Sequence, residues 1–206
     1  MSRHSFAVAA LAVCGCVAGA NAERIDLLVY ENASGGDISL LDLWVDVSQS
    51  GALVTLDFHN DSTVNSRISN LYIERTAFTQ SAFVGAGSLQ NPLPSGVNFS
   101  AGGSPANPAQ TIDAYDTAWG GTLASFGRNG GAANGVDPGE SLYVSFTLSD
   151  ANIDVAEALR NREFRVAQHV ISIGAGSFSV WTTNVPAPSV ASAMLGGLVL
   201  AGRRRR

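Results

Sequence analysis

The stretch Leu41–His59, LDLWVDVSQSGALVTLDFH, alternates apolar and polar residues on both sides of a turn sequence. Alternation with a period of two is typical of a β-strand that buries one face. The linker Ser48-Gln49-Ser50-Gly51 separates the two runs, and Ser and Gly clusters favour turns. The stretch therefore predicts an antiparallel β-hairpin.

We predict the register of this hairpin from the position of its turn, which places Val47 opposite Ala52. The inner face then holds apolar pairs only: Val45 with Val54, Leu43 with Leu56, and Leu41 with Phe58. All of these apolar residues fall on one face, which is the consistency that a correct register should show. The outer face pairs Asp42 with Asp57, Trp44 with Thr55, and Leu40 with His59.

The predicted Asp42–Asp57 pair places two like charges directly across the strands, which is destabilising. Water and salt, a nearby arginine, or a bound Ca²⁺ would each relieve that repulsion. Two carboxylates about 5–5.5 Å apart would also suit a retaining glycosidase. Asp42 and Asp57 are therefore the candidate Ca²⁺ ligands and, in the enzymatic alternative, the candidate catalytic pair.

Trp44, between Asp42 and Asp46, has two interpretations. It is either a stacking platform for a sugar or a tryptophan packed against other structure, and the unfavourable exposure of aromatic rings favours packing. Two histidines lie in the central region. His59 is interpreted as a strand-end residue in a turn, and His169 as a hydrogen-bonded structural residue.

Further alternating runs predict an all-β fold, an antiparallel β-sandwich with a jelly-roll topology as one possibility. Predicted strands are Ile25–Tyr30, Ile68–Arg75, Ala82–Val84, Val97–Phe99, Leu142–Leu148, Phe164–Ile173 and Phe178–Trp181. The alternation of Phe164–Ile173 changes phase near Gln168, which indicates a bulge. One short helix is predicted at Asp154–Arg160, with Asp154 as its N-cap and Glu157 three residues later.

The N-terminus has the pattern of a cleaved signal peptide over residues 1–22. Arg3 and His4 precede an apolar run, and Ala20-Asn21-Ala22 matches a small-x-small cleavage site before Glu23. Both cysteines lie inside this segment. The alternative to a cleaved signal peptide is a lipoprotein in which Cys16 is the lipidated residue. A domain over residues 23–184 then has no cysteine, which excludes disulfides and thiol chemistry there.

Charge is distributed unevenly. The whole chain carries a formal net charge of −5, but all twelve basic residues are arginine and five of them lie in the two ends. Residues 23–184 hold seven arginines against seventeen acidic residues, a formal charge of −10. Such a domain repels nucleic acid, so a nucleic-acid partner is excluded.

The last 22 residues, VPAPSVASAMLGGLVLAGRRRR, combine a proline motif, an uncharged apolar segment and a terminal arginine cluster. Residues 185–202 are long enough to span a hydrocarbon core of about 30 Å, with the arginines on the cytoplasmic side. This arrangement resembles the PEP-CTERM sorting signal. Val185, Pro186 and Pro188 match its Val-Pro-Glu-Pro motif, with Ala187 at the glutamate position, and Arg203, Arg204, Arg205 and Arg206 match its basic end.

The resemblance implies export, a transient C-terminal transmembrane helix, processing by an exosortase-type membrane enzyme, and delivery to the cell surface or exopolysaccharide matrix. Among common catalytic motifs, HExxH, GxSxG, a P-loop and a dinucleotide fingerprint are missing from the sequence. We therefore expect a non-enzymatic surface or matrix protein without a cofactor, apart from the possible Ca²⁺. The alternatives are a secreted carbohydrate-active enzyme and a Ca²⁺-dependent carbohydrate-binding or adhesion module.

Overall fold

A computed structural model describes residues 22–31, 37–90, 96–102, 119, 121–176 and 178–184. Eleven strands occur in these residues: β1 (Glu23–Asp26), β2 (Leu28–Glu31), β3 (Leu43–Ser50), β4 (Leu53–Asn60), β5 (Arg67–Glu74), β6 (Phe83–Gln90), β7 (Phe99–Ala101), β8 (Thr122–Arg128), β9 (Glu140–Leu148), β10 (Val166–Ile173) and β11 (Phe178–Thr183). The first sheet has the order β1-β3-β4-β9-β6, and the second has the order β2-β11-β10-β5-β8-β7. All strand pairings among these residues are antiparallel, which confirms the predicted all-β class.

A large apolar core contains residues of both sheets. It takes alternate residues from the first sheet, such as Val45, Val54 and Leu56, together with residues of the second sheet such as Leu71 and Ile73. All five of these side chains are completely buried, and the burial pattern of β4 alternates along the whole strand. Burial of this apolar surface is the main stabilising term of the fold.

The β3–β4 hairpin forms, but its predicted register is wrong. Val45 lies opposite Phe58 and Val47 opposite Leu56, so β4 is displaced by four positions from the prediction. Strand β3 continues to Ser50, which pairs with Leu53 across a two-residue turn that begins at Gly51. Gly51 has φ +58°, a conformation that glycine adopts readily and that two-residue hairpin turns use.

The predicted first strand is divided at Leu27 between the two sheets. Strand β1 pairs with β3, while β2 pairs with β11 in the other sheet. Leu27 itself is buried, and its amide donates to the carbonyl of Leu43 at 2.9 Å. The chain thus links the two sheets along one edge.

Two short helices occur among the described residues, where one was predicted. The predicted helix is α2 (Val155–Arg160), and its N-cap Asp154 accepts a hydrogen bond from the amide of Glu157 at 2.8 Å. The other, α1 (Ala77–Ala82), was missed. Its capping box joins Thr76 to Thr79, so a threonine takes the place of the Glu or Gln that marks this motif in a sequence.

A register irregularity occurs close to the bulge that was predicted near Gln168, because the pairing of β10 with β5 shifts between His169 and Val170. Gln168 is completely buried at an inward position and accepts a hydrogen bond from Thr182 at 3.2 Å, so a polar residue in the core interrupts the pattern without a change of phase. At the shift beside His169 the skipped residue is Ser69 of β5, and at a second shift, farther along β10, Ser172 is skipped opposite β11. Ser172 has φ +59°.

The predicted signal peptide and sorting tail lie outside the described residues, apart from Ala22. Within the described part of the chain, no helix has the length and apolarity needed to cross a membrane.

Candidate functional site

The outer face of the first sheet carries polar and aromatic side chains in cross-strand rows. The rows over β3, β4 and β9 are Ser48–Thr55–Ser145, Asp46–Asp57–Tyr143 and Trp44–His59–Ser141. This face is formed by the residues between the inward apolar ones, as strand geometry requires. We call these nine residues the polar face.

At the centre of the polar face, His59 lies beside two carboxylates. Its Nε2 is 3.0 Å from Oδ2 of Asp57 and 3.3 Å from Oδ2 of Asp46. The backbone register places Asp46 directly opposite Asp57. A like-charge pair therefore exists as the sequence predicts, but Asp46 takes the position predicted for Asp42. His59 provides a compensating charge when it is protonated.

The carboxylates raise the pKa of His59 above its ordinary value. The contact with Asp57 is the largest cause, burial opposes it, and the charges of Asp57, Asp46 and Asp61 add to it. The side chain of His59 is about a quarter exposed, at 23%. Partial burial makes these charge interactions stronger than they would be in open water.

Trp44 is packed between two cationic or ionisable groups. Its ring stacks on His59, with centroids 4.8 Å apart and planes 11° from parallel, and Arg24 Cζ lies 3.9 Å from its ring centroid. A guanidinium over an indole face is a cation–π contact. Trp44 is only 8% exposed, so the packing interpretation is confirmed and the sugar-stacking interpretation is wrong for this side chain.

Asp42 and Asp57 are not cross-strand partners. Asp42 precedes β3 and accepts a hydrogen bond at 2.6 Å from Nη2 of Arg24, whose Nε donates to Asp26 at 2.7 Å. The displaced register thus removes the geometric basis of both the Asp42–Asp57 calcium site and the hydrolase pair. Among the residues that the structure describes, no group of three or more His, Cys, Asp or Glu side chains is arranged to hold a metal ion.

His169 occupies a corresponding position on the second sheet. Its ring stacks on Trp181, with centroids 4.7 Å apart and planes 25° from parallel, and its Nδ1 lies 3.2 Å from Oγ of Ser69. Burial, together with the positive charge of Arg128, lowers the pKa of His169. The predicted structural role with a hydrogen-bond partner is confirmed.

Sequence reasoning missed the contributions of Arg24, Asp46 and Tyr143 to this region. Arg24 and Asp46 are cross-strand partners, and Tyr143 lies opposite Asp57. The usable signal was Gly51: a two-residue turn starting there places Asp46 opposite Asp57 and Trp44 opposite His59.

Comparisons with protein families, with curated proteins and with solved structures find no match to this chain.

Proposed function

We propose that this chain is an exported cell-surface or extracellular-matrix protein whose domain, a β-sandwich, associates with exopolysaccharide through the polar face. The observation that carries the proposal is the composition of that face. Three adjacent cross-strand rows present hydroxyl, carboxylate and aromatic groups over β3, β4 and β9.

These groups match the chemistry of a sugar chain. The hydroxyls of Ser48 and Thr55, which are both partly exposed, can donate and accept hydrogen bonds, and sugar hydroxyls need partners of both kinds. The ring of Tyr143 offers apolar surface and a polar tip next to them. The end of the same outer face adds exposed apolar surface at Leu53 and Val84, each opposite Thr147.

Charge favours a neutral or cationic polysaccharide over an anionic one. Residues 23–184 carry a formal charge of −10, and Asp46 and Asp57 lie within the polar face. Like-signed potentials reduce association, so an anionic polymer binds less well.

The two ends of the sequence support the export part of the proposal. A signal peptide over residues 1–22 directs export, and residues 185–206 resemble a PEP-CTERM signal with a transmembrane segment and an arginine cluster. The proposed partner is an exosortase-like membrane enzyme, and the protein is anchored at its C-terminus before it reaches the surface or matrix.

Affinity electrophoresis tests the binding part. Protein recovered from an exporting host is run in native gels that contain dextran, hydroxyethylcellulose or alginate. We expect slower migration with a neutral polymer, no retardation with anionic alginate, and at least a tenfold weaker effect in Tyr143→Ala. Glu163→Gln, an exposed residue outside the polar face, is the control. Retardation that Tyr143→Ala leaves unchanged contradicts the proposed face.

Intact mass spectrometry tests the export part. We expect a surface-released form that begins at Glu23 and ends near Pro188, and an Arg203–Arg206 quadruple alanine variant that accumulates without C-terminal processing. A cytosolic protein with the mass of all 206 residues contradicts export.

A further inference from the structure

Each sheet carries one histidine stacked on one tryptophan. His59 stacks on Trp44 in the first sheet, and His169 stacks on Trp181 in the second, with centroid separations of 4.8 and 4.7 Å. In both cases the two residues are direct cross-strand partners. The two stacks therefore have nearly the same geometry and differ in the charges around them.

Carboxylates dominate the surroundings of His59. Its own strand contributes Asp57, with Asp61 just beyond the strand end, and β3 contributes Asp46. On the other side, β9 contributes Ser141 opposite His59 and Tyr143 opposite Asp57. The cation Arg24 of β1 is separated from His59 by the ring of Trp44 and is itself paired with Asp26 and Asp42.

Among the described residues, the charge that acts on His169 is positive and not negative. From β5 the ring meets Ser69 at 3.2 Å and has Asn70 as its cross-strand partner. From β11 it meets Trp181, and the charge that acts on it is the positive charge of Arg128 on β8. A proton on His169 would thus add a second positive charge to a largely buried site.

We propose that pH determines, through these two stacks, which of the two sheets is less stable. A proton on His59 stabilises the first sheet, and a proton on His169 destabilises the second. The inference concerns the fold and does not depend on polysaccharide binding.

The direction follows from proton linkage. The raised pKa of His59 means that its contribution is fully present below the unfolded value of 6.5 and is lost as pH rises through the folded pKa. The lowered pKa of His169 means that its contribution is present above 6.5 and is lost as pH falls through the folded pKa. Alkaline solution therefore weakens the β3–β4 contact, and acidic solution weakens the β10–β11 contact.

Imidazole C2–H NMR titration of the full chain is the first test. We expect the His59 midpoint above 6.5 and the His169 midpoint below it. Asp46→Asn should lower the midpoint of His59 and leave that of His169 unchanged, whereas Arg128→Gln should raise only the midpoint of His169. Equal midpoints, or a reversed order, overturn the proposal.

Thermal melting between pH 5 and 9 is the second test. The loss of Tm caused by His59→Gln should grow as pH falls from 9 to 6, while the loss caused by His169→Gln should shrink as pH falls from 7.5 to 5. At pH 9 the amide protection factors should be lower in β3–β4 than in β10–β11. At pH 5 they should be lower in β10–β11 than in β3–β4. If a glutamine variant does not fold, Asp46→Asn and Arg128→Gln provide the same comparison. The proposal is contradicted if the stability losses and protection factors of the two sheets change with pH in the same direction.

Discussion

Arg165 and Glu74 form a bidentate ion pair at the end of the second sheet, with side chains that are only 6% and 3% exposed. Glu74 ends β5, and its amide also donates to the carbonyl of Arg165 at 2.9 Å. The pair joins the end of β5 to the chain that enters β10, just before helix α1 begins. Two opposite charges removed from water together are tolerated because each satisfies the other.

Glu74→Gln should destabilise the protein by about 3–5 kcal/mol, because it removes one of the two opposite charges of a buried ion pair. Urea unfolding measures the change. Glu163→Gln, at an exposed position, should stay within about 0.5 kcal/mol of the parent protein. The double variant Glu74→Leu/Arg165→Met should be more stable than Glu74→Gln, and the opposite order would contradict the explanation.

Gly87→Ala should destabilise the protein by about 1–3 kcal/mol more than Gly85→Ala. Both glycines have φ +82° and lie in the irregular part of β6, so the backbone strain is matched. A Cβ at position 87 would lie 2.5 Å from the ring of Phe146, which is buried and stacked on Phe83, whereas a Cβ at position 85 meets nothing within 4 Å. Equal losses in chemical denaturation would show that Phe146 can move aside freely.

Tyr72→Phe should leave stability at pH 7 unchanged or slightly raised. The hydroxyl of Tyr72 is buried without a hydrogen-bond partner among the described residues, and removing such a group relieves a desolvation penalty.

In alkaline solution, the stability of the Tyr72→Phe variant relative to the parent protein should increase. Burial raises the pKa of Tyr72 to about 12 from an ordinary value of 10.0. The unfolded chain therefore gives up this proton first, and the parent protein loses stability as pH rises from about 10 towards 12. Urea midpoints at pH 8 and pH 10.5 check this, and a difference between the two proteins that does not change with pH would contradict it.

Trp44→Ala should destabilise the protein by about 3–5 kcal/mol, through loss of the ring packed between Arg24 and His59. Trp44→Phe keeps an aromatic ring at this position and should lose clearly less. Because Trp44 faces the outside of the sheet and not the shared core, a loss below 1 kcal/mol for the alanine variant would show that the stack contributes little.

The residues that define the faces of β3 and β4 could be predicted, and the register could not be fixed by them alone. An even shift leaves the same apolar residues of the two strands facing inward, so the hydrophobic pattern does not distinguish the alternatives. These residues are Leu43, Val45, Val47, Val54, Leu56 and Phe58. The polar residues 48–50 resemble a loop, yet they extend β3 as far as Ser50. The register is therefore determined by the two-residue turn that begins at Gly51 and not by the burial pattern.

The candidate site depended on that choice. With Trp44 opposite His59 and Asp46 opposite Asp57, a histidine interpreted as part of a turn becomes the partner of both carboxylates. A four-residue displacement thus changes the chemistry of the face without changing the fold class.

Buried polar residues limited the prediction of the second sheet. Gln168 and Thr182 occupy positions in the interior where an apolar residue would be expected. Each satisfies part of the hydrogen-bonding need of the other, and a pattern based on hydropathy contains no information about such pairs.

Strand β11 lies between β2 and β10, and the chain leaves it at Asn184. The side chain of Asn184 donates to the carbonyls of Leu159 and Phe164, at 2.7 and 3.3 Å, and accepts from the amide of Val166 at 3.0 Å. A pull transmitted through residue 185 would act along the axis of β11 and load the ladders on both of its sides in shear, after the asparagine contacts had been broken. A protein held by its C-terminal end would therefore resist mechanical extension at the strand next to its tether.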